Sequence, residues 1–267
     1  MLTSRKNPRI QHIRKLQTSA RTRRADQLFI VEGIRLVEEV FHSGLIPEAV
    51  FCTEDITSRG QKIITGFKNS GVEVTLISPH VMQAASDTKS PQGILVLMPV
   101  LQLPIPKDLD FMVILDGIRD PGNLGTILRT AHAASAGVVL IPPGTADPFA
   151  PKVVRAAMGA HFGLPIYQMD WEKIRDISKS YNLNHYLADS SGGQPYECSD
   201  FRTPLALIIG GEASGAGREA EGLASTRIHI NMPGEVESLN VAAAAAVLMF
   251  EIVRQRKVTI FQNDDLD

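Results

Sequence analysis

Cysteine is scarce in this chain, and the two present, Cys52 and Cys198, stand alone. A reduced pair is the expected state, which argues against a disulfide scaffold and against cysteine-bound zinc. His161 and His229 have no acidic or cysteine partner at ligand spacing, so no metal is expected. No apolar run is long enough to span a membrane. The first residues lack the apolar core of a signal peptide, and a cytosolic protein with no membrane partner is expected. The Walker A pattern is missing, which argues against ATP or GTP hydrolysis. The Gly-x-Ser-x-Gly nucleophile elbow is missing too. Acid is absent from residues 1 to 25, where eight basic side chains stand: Arg5, Lys6, Arg9, Arg14, Lys15, Arg21, Arg23 and Arg24. The other 19 of the 27 lysines and arginines face 29 acidic residues. A basic arm on an acidic body suggests a polyanion partner; a transit peptide or a solvated basic helix would show the same bias.

What is present reads as a globular α/β protein, with 44% hydrophobic and 21% charged residues. Ile10, Ile13 and Leu16 mark one face of a first helix after Asn7-Pro8. Residues 18 to 27 are polar and read as a loop. Strands are expected at 28–31, 49–52, 72–76 and 94–97, alternating with helices at 34–42, 58–68 and 79–85. Three prolines within residues 99–109 read as a linker. Alternation then restarts, with buried strands at 111–115, 137–141 and 205–209. Further strands are expected at 162–168, 183–188 and 228–230. Helices are expected at 123–134, from Pro151, at 171–180 and at 239–254. The chain thus divides into a first domain with its basic arm (1–98), a linker (99–109), a second domain (110–256) and an acidic tail (257–267) expected to fray.

Three stretches could carry chemistry. In Asp120-Pro-Gly-Asn123-Leu-Gly-Thr-Ile-Leu-Arg129, a Pro-Gly turn ends a buried strand and Asn123 is positioned to cap a helix. Arg129 lies nearly two turns on and is expected to share the side of Asn123; its fork suits a phosphate. Gly210-Gly211-Glu212 ends the most apolar strand, where open α/β sheets bind ligands. Residues 215–220 also fit the relaxed dinucleotide pattern G-x-G-x-x-[G/A], which keeps an NAD-dependent enzyme as an alternative. In Ile230-Asn231-Met232-Pro233-Gly234-Glu-Val-Glu-Ser238-Leu239-Asn240, a turn leads to a helix for which Ser238 is a good N-cap. Five alanines follow, which allow close packing.

Together and in this order, the three stretches resemble the motifs of the SpoU/TrmH family of RNA ribose 2′-O-methyltransferases, within the SPOUT superfamily. The likeness covers residues 110–256. It implies an open parallel sheet with helices on both faces and a trefoil knot, S-adenosyl-L-methionine as cofactor, and a homodimer joined through this domain. The first half is similar to the smaller α/β substrate-binding domain of many members. The resemblance carries catalytic roles to Arg129, Asn123, Glu212, Ser238 and Asn240, and cofactor contacts to Gly210, Gly211, Ile230 and Leu239. Asn231 departs from the proline common there, and Pro233 follows instead. RNA contact is expected from Arg5, Lys6, Arg9, Arg21, Arg23 and Arg24. Ribosomal RNA is the expected substrate; transfer RNA and a non-catalytic RNA-binding module are the alternatives. Arg129 is expected to bind a phosphate and favour the developing alkoxide, while a carboxylate or the phosphate takes the proton.

Overall fold

A computed structural model describes residues 1–190, 192–212, 215–234 and 238–264, with side chains as far as residue 256. The chain forms two compact units, one of Met1–Leu101 with Asp147–Gly163, the other of Gln102–Ala146 with the residues from Leu164 on. Among the described residues, no helix is long and apolar enough to cross a membrane.

The first unit runs α1 (Pro8–Thr18), α2 (Ala20–Asp26), β1 (Leu28–Glu32), α3 (Ile34–His42), β2 (Ala49–Cys52), α4 (Ser58–Asn69), β3 (Val74–Leu76), α5 (Pro79–Ala85) and β4 (Ile94–Pro99). The sheet order is β1-β4-β2-β3. β4 is antiparallel to both neighbours, and β2 and β3 are parallel. Side chains alternate between the two faces. Ile30, Phe51, Leu95 and Leu97 pack with Ile10, Ile13 and Leu16 of α1. Phe29, Val31, Val50 and Val96 pack on the other side with α3 and α4.

The stretch expected as a loop at 18–27 contains α2. Ser19 caps it by accepting from the Thr22 amide, and Gln27 ends it at φ +53°. Its buried residue is Arg23, 5% exposed, so no apolar period betrays the helix.

The second unit adds β5 (Phe111–Asp116), α6 (Pro121–Ala133) and β6 (Val138–Ile141). The chain then gives α7 (Pro151–Ala157) to the first unit, whose core takes in Phe149, Val154 and Phe162. By packing, residues 147–163 group with the first unit, because their apolar side chains are buried with β1 and its neighbours. The second unit continues with β7 (Ile166–Gln168), α8 (Trp171–Ser180), β8 (Asn184–Ala188), β9 (Gln194–Pro195), β10 (Leu205–Gly210), α9 (Arg218–Leu223), β11 (Thr226–His229) and α10 (Val241–Asp264). Its sheet order is β7-β6-β5-β10-β8-β11-β9, every pairing parallel. Met112, Ile114, Ala206 and Ile208 pack with Ile174 of α8 and Ala220 of α9. α10 lies against β10 and α6. Burial on both faces is why these strands read as unbroken apolar runs.

Two helix starts differ from expectation. Asp120, not Asn123, caps α6, accepting from the Asn123 amide at 2.8 Å with Pro121 next. Asn240, not Ser238, caps α10, accepting from the amides of Ala242 and Ala243 at 2.9 and 3.4 Å. At the other end α10 continues through Asp264, where a frayed tail was expected after Arg256; Asp265 to Asp267 lie outside the described residues.

Candidate active site

β5 has β6 on one side and β10 on the other, so the strand order reverses there. Ligands bind at such a switch point, beyond the carboxyl ends of the strands. Gly210 is in register with Asp116, and the loops that leave both strands meet. Their approach is close enough to exclude side chains. A Cβ on Gly211 would stand 2.2 Å from the Gly117 carbonyl oxygen, and one on Gly210 would stand 2.5 Å from the Ala216 amide nitrogen. The buried Asp116 carboxylate fixes the returning loop by accepting from the Gly217 amide at 2.6 Å. Thr145 ties the end of β5, donating to the Leu115 carbonyl at 2.7 Å and accepting from the Gly117 amide at 2.8 Å. Neither Asp116 nor Thr145 was singled out from the sequence. A carboxylate closing a continuous apolar strand was a readable signal for Asp116, whereas Thr145 carries none.

Beside this junction lies a cavity of about 730 Å³. Gly210, Gly211, Glu212, Ile230, Ser238, Leu239 and Asn240 all line it, so seven of the nine residues expected to act in catalysis or cofactor binding share one wall. Asp189 and Arg227, joined by a 2.9 Å ion pair, line it too. His229 lies on the wall with its Nε2 3.1 Å from Asn231 Oδ1. Asn231 thus supports a neighbouring ring where a proline would offer no hydrogen bond.

Asn123 does not line the cavity, but its side chain bonds two residues that do. Asn240 Nδ2 donates to Asn123 Oδ1 at 3.2 Å, and Asn123 Nδ2 donates to Glu212 Oε1. The three stretches are thereby linked side chain to side chain. Arg129 is not part of this cluster. Six residues of helix turn it about 120° from Asn123, so the two do not share a face. It is exposed, lines no part of the cavity, and has no hydrogen bond or ion pair among the described residues. Ala213, Ser214 and the run Glu235-Val236-Glu237, which fall within the second and third stretches, lie outside the described residues.

The basic arm divides into two kinds of residue. Arg5, Lys6, Arg21 and Arg24 are exposed. Arg9 lies over the Phe51 ring at 4.9 Å and pairs with Glu73 at 2.6 Å. Arg23 is not available to RNA. Its guanidinium is buried, pairs with Asp147 at 2.7 Å and donates to the Leu16 and Gln17 carbonyls.

Residues 110–250 match the SpoU rRNA Methylase family, and residues 7–96 match the MRM3-like substrate binding domain. A 23S rRNA guanosine 2′-O-methyltransferase of Bacillus subtilis, RlmP, is 33% identical, over 94% of this chain and 98% of its own. An AdoMet-bound rRNA methyltransferase from Sinorhizobium meliloti superposes with a TM-score of 0.83 at 28% identity, over 95% of this chain and 97% of its own. The SpoU methyltransferase AviRb from Streptomyces viridochromogenes, in complex with AdoMet, gives a TM-score of 0.86 at 25% identity, over 94% and 99%.

Proposed function

The chain belongs to the SpoU rRNA Methylase family, and we propose that it transfers a methyl group from S-adenosyl-L-methionine to a ribose 2′-hydroxyl of ribosomal RNA. The observation that carries this reading is a cavity lined by the second and third stretches, to which the first is joined by the Asn240–Asn123–Glu212 hydrogen bonds. The cavity suits the cofactor. Gly210 and Gly211 on its lining carry no side chain, because a Cβ there would strike the backbone of Ala216 or Gly117, and bare backbone can approach a ligand closely. Gly210, Gly211, Ile230 and Leu239 would hold the adenosyl part, and Ser238 and Asn240 border it. When bound, the cofactor supplies a methyl group on a sulfonium, already a good electrophile. The protein's tasks are to position the ribose oxygen and remove its proton.

Arg129 is exposed and lines no part of its own chain's cavity, with its guanidinium free of partners among the described residues. This favours a homodimer in which each Arg129 serves the other subunit's site, clamping the phosphate beside the target ribose as a bidentate fork. Val247 and Phe250, 38% and 50% exposed on α10, supply an apolar surface for that pairing. The tight crossing at Gly117 and Gly211, with β10 seated between β5 and β8, supports a knotted chain. Arg5, Lys6, Arg21 and Arg24 would bind RNA backbone, without sequence choice and with a strong salt dependence. The 2′-hydroxyl itself separates RNA from DNA. Action on cytosolic ribosomal RNA would place the enzyme in the cytosol.

The test is to incubate the purified protein with labelled S-adenosyl-L-methionine and total RNA from cells lacking its gene, then map ribose methylation. Label entering ribosomal RNA at a site that is unmethylated without the gene is the expected result. Label appearing in transfer RNA alone, or no label with calorimetric binding of NAD, would end the proposal.

A further inference from the structure

We propose that Glu212 takes the proton of the ribose hydroxyl, and that Asn240 and Asn123 are the positioning residues that aim it. This rests on the methyl-transfer reading. Its basis is the direction of the hydrogen bonds on the cavity wall. Backbone N–H groups only donate, so the Asn240 atom facing Ala242 and Ala243 is its oxygen. Its NH₂ therefore faces the other way, 3.2 Å from Asn123. An NH₂ also only donates, so Asn123 presents its oxygen there and its own NH₂ to Glu212. Each amide orientation follows from the helix cap, with no freedom left to flip.

The chain ends with a donor on Oε1 of Glu212. Oε2 has no hydrogen bond among the described residues, and the residue lines the cavity. A hydroxyl entering the cavity brings a donor to that oxygen. The other charged groups on the wall are less suited. Asp189 is held by Arg227 at 2.9 Å, and Glu221 is 3.6 Å from the same guanidinium. Arg129 has five donors and no acceptor, so it binds phosphate and takes no proton. In the step, the O2′–H bond breaks and its proton passes to Oε2 of Glu212. The oxygen's electron pair forms the O2′–C bond to the methyl group as the C–S bond breaks. Sulfur keeps that pair, and the sulfonium becomes a neutral thioether.

Asn240→Asp separates this role from a structural one. Aspartate caps a helix as well as asparagine does, but it has no NH₂ for Asn123. N240D should melt like wild type and bind S-adenosyl-L-methionine within about twofold, by calorimetry. Its kcat should fall about tenfold while its KM for RNA stays within about twofold, a split that a distorted pocket would not give. E212Q should bind the cofactor equally well and lose roughly 100-fold in kcat. Wild-type turnover in E212Q, an unchanged kcat in N240D, or loss of cofactor binding in E212Q would each overturn the proposal. Wild-type protein that neither binds the cofactor nor methylates RNA would instead sink the proposed function.

Discussion

Acid should weaken the first unit through His161. The ring is 3% exposed and packs against Phe149 and Phe29, with centroids 5.5 and 5.9 Å away. Its Nε2 lies 2.7 Å from the Pro148 carbonyl, which can only accept, so the proton sits on that nitrogen. Nδ1 is buried with no partner. A second proton would place a charge among aromatic rings with its new N–H unsatisfied, and this burial lowers the pKa from 6.5 to about 4 despite the nearby Asp147. The folded value lies below the unfolded one, so the unfolded chain binds more protons between them. Stability is then full above pH 6.5, declines as pH falls, and levels off below about pH 4. At 1.36 kcal/mol for each unit, the loss is about 2 kcal/mol by pH 5 and about 3 kcal/mol in all. Trp171 lies in the other unit and is the chain's one tryptophan, so its fluorescence is the wrong probe. Hydrogen exchange in peptides covering residues 28–32 and 151–157, followed from pH 7.5 to 4.5 and corrected for intrinsic rates, reads the correct unit. His161→Gln keeps a donor for Pro148 and does not titrate. Wild type should lose protection relative to H161Q by the amounts above, and a difference that stays constant across this range would refute the reasoning.

Other substitutions test the remaining structure. Gly211→Ala drives a Cβ against the Gly117 carbonyl at 2.2 Å, and should cost about 1–3 kcal/mol and weaken cofactor binding at least about tenfold in calorimetry. Gly222→Ala, in α9 with nothing within 4 Å, should be neutral or gain roughly 0.5–1 kcal/mol in denaturant unfolding. Arg23→Ala leaves Asp147 buried without its cation and should cost about 3 kcal/mol, while Arg24→Ala should leave stability alone and reduce the salt dependence of RNA binding. Arg129→Lys keeps the charge and loses the fork. Its kcat should fall roughly tenfold or more, and near wild-type turnover would exclude a bidentate contact.

The strands were the most legible part of the fold. β5, β6 and β10 are buried along almost their whole length, so both faces demand apolar residues and the runs are unbroken. Helix starts were less legible, for a reason the structure makes plain. Two cap-competent residues stand at the start of α6 and two at the start of α10. Local chemistry rates Asp120 with Asn123, and Ser238 with Asn240, as similar caps. Tertiary demand decides between them. Asn123 is needed by Asn240 and Glu212, so Asp120 takes the cap. Asn240 serves both purposes, its oxygen on the helix and its nitrogen on Asn123. The site residues could be picked from the sequence by resemblance, but the directions of these bonds could not.

The arginines carry the same lesson in the opposite sense. A basic side chain in a run without acids reads as a contact for a polyanion, and six of the arm's residues were read so. Arg23 breaks the pattern because its acceptors are already in the chain: two carbonyls one turn or two back, and a carboxylate 124 residues away. No local pattern encodes that distant partner. Arg129 is chemically identical and differs only in having no such acceptor among the described residues. A guanidinium satisfied by its own fold stabilises that fold, and a buried one left alone would cost several kcal/mol. An exposed one at a helix surface costs nothing to leave open. Its five donors remain available to oxygens from another molecule, and a phosphate is an acceptor whose geometry fits them.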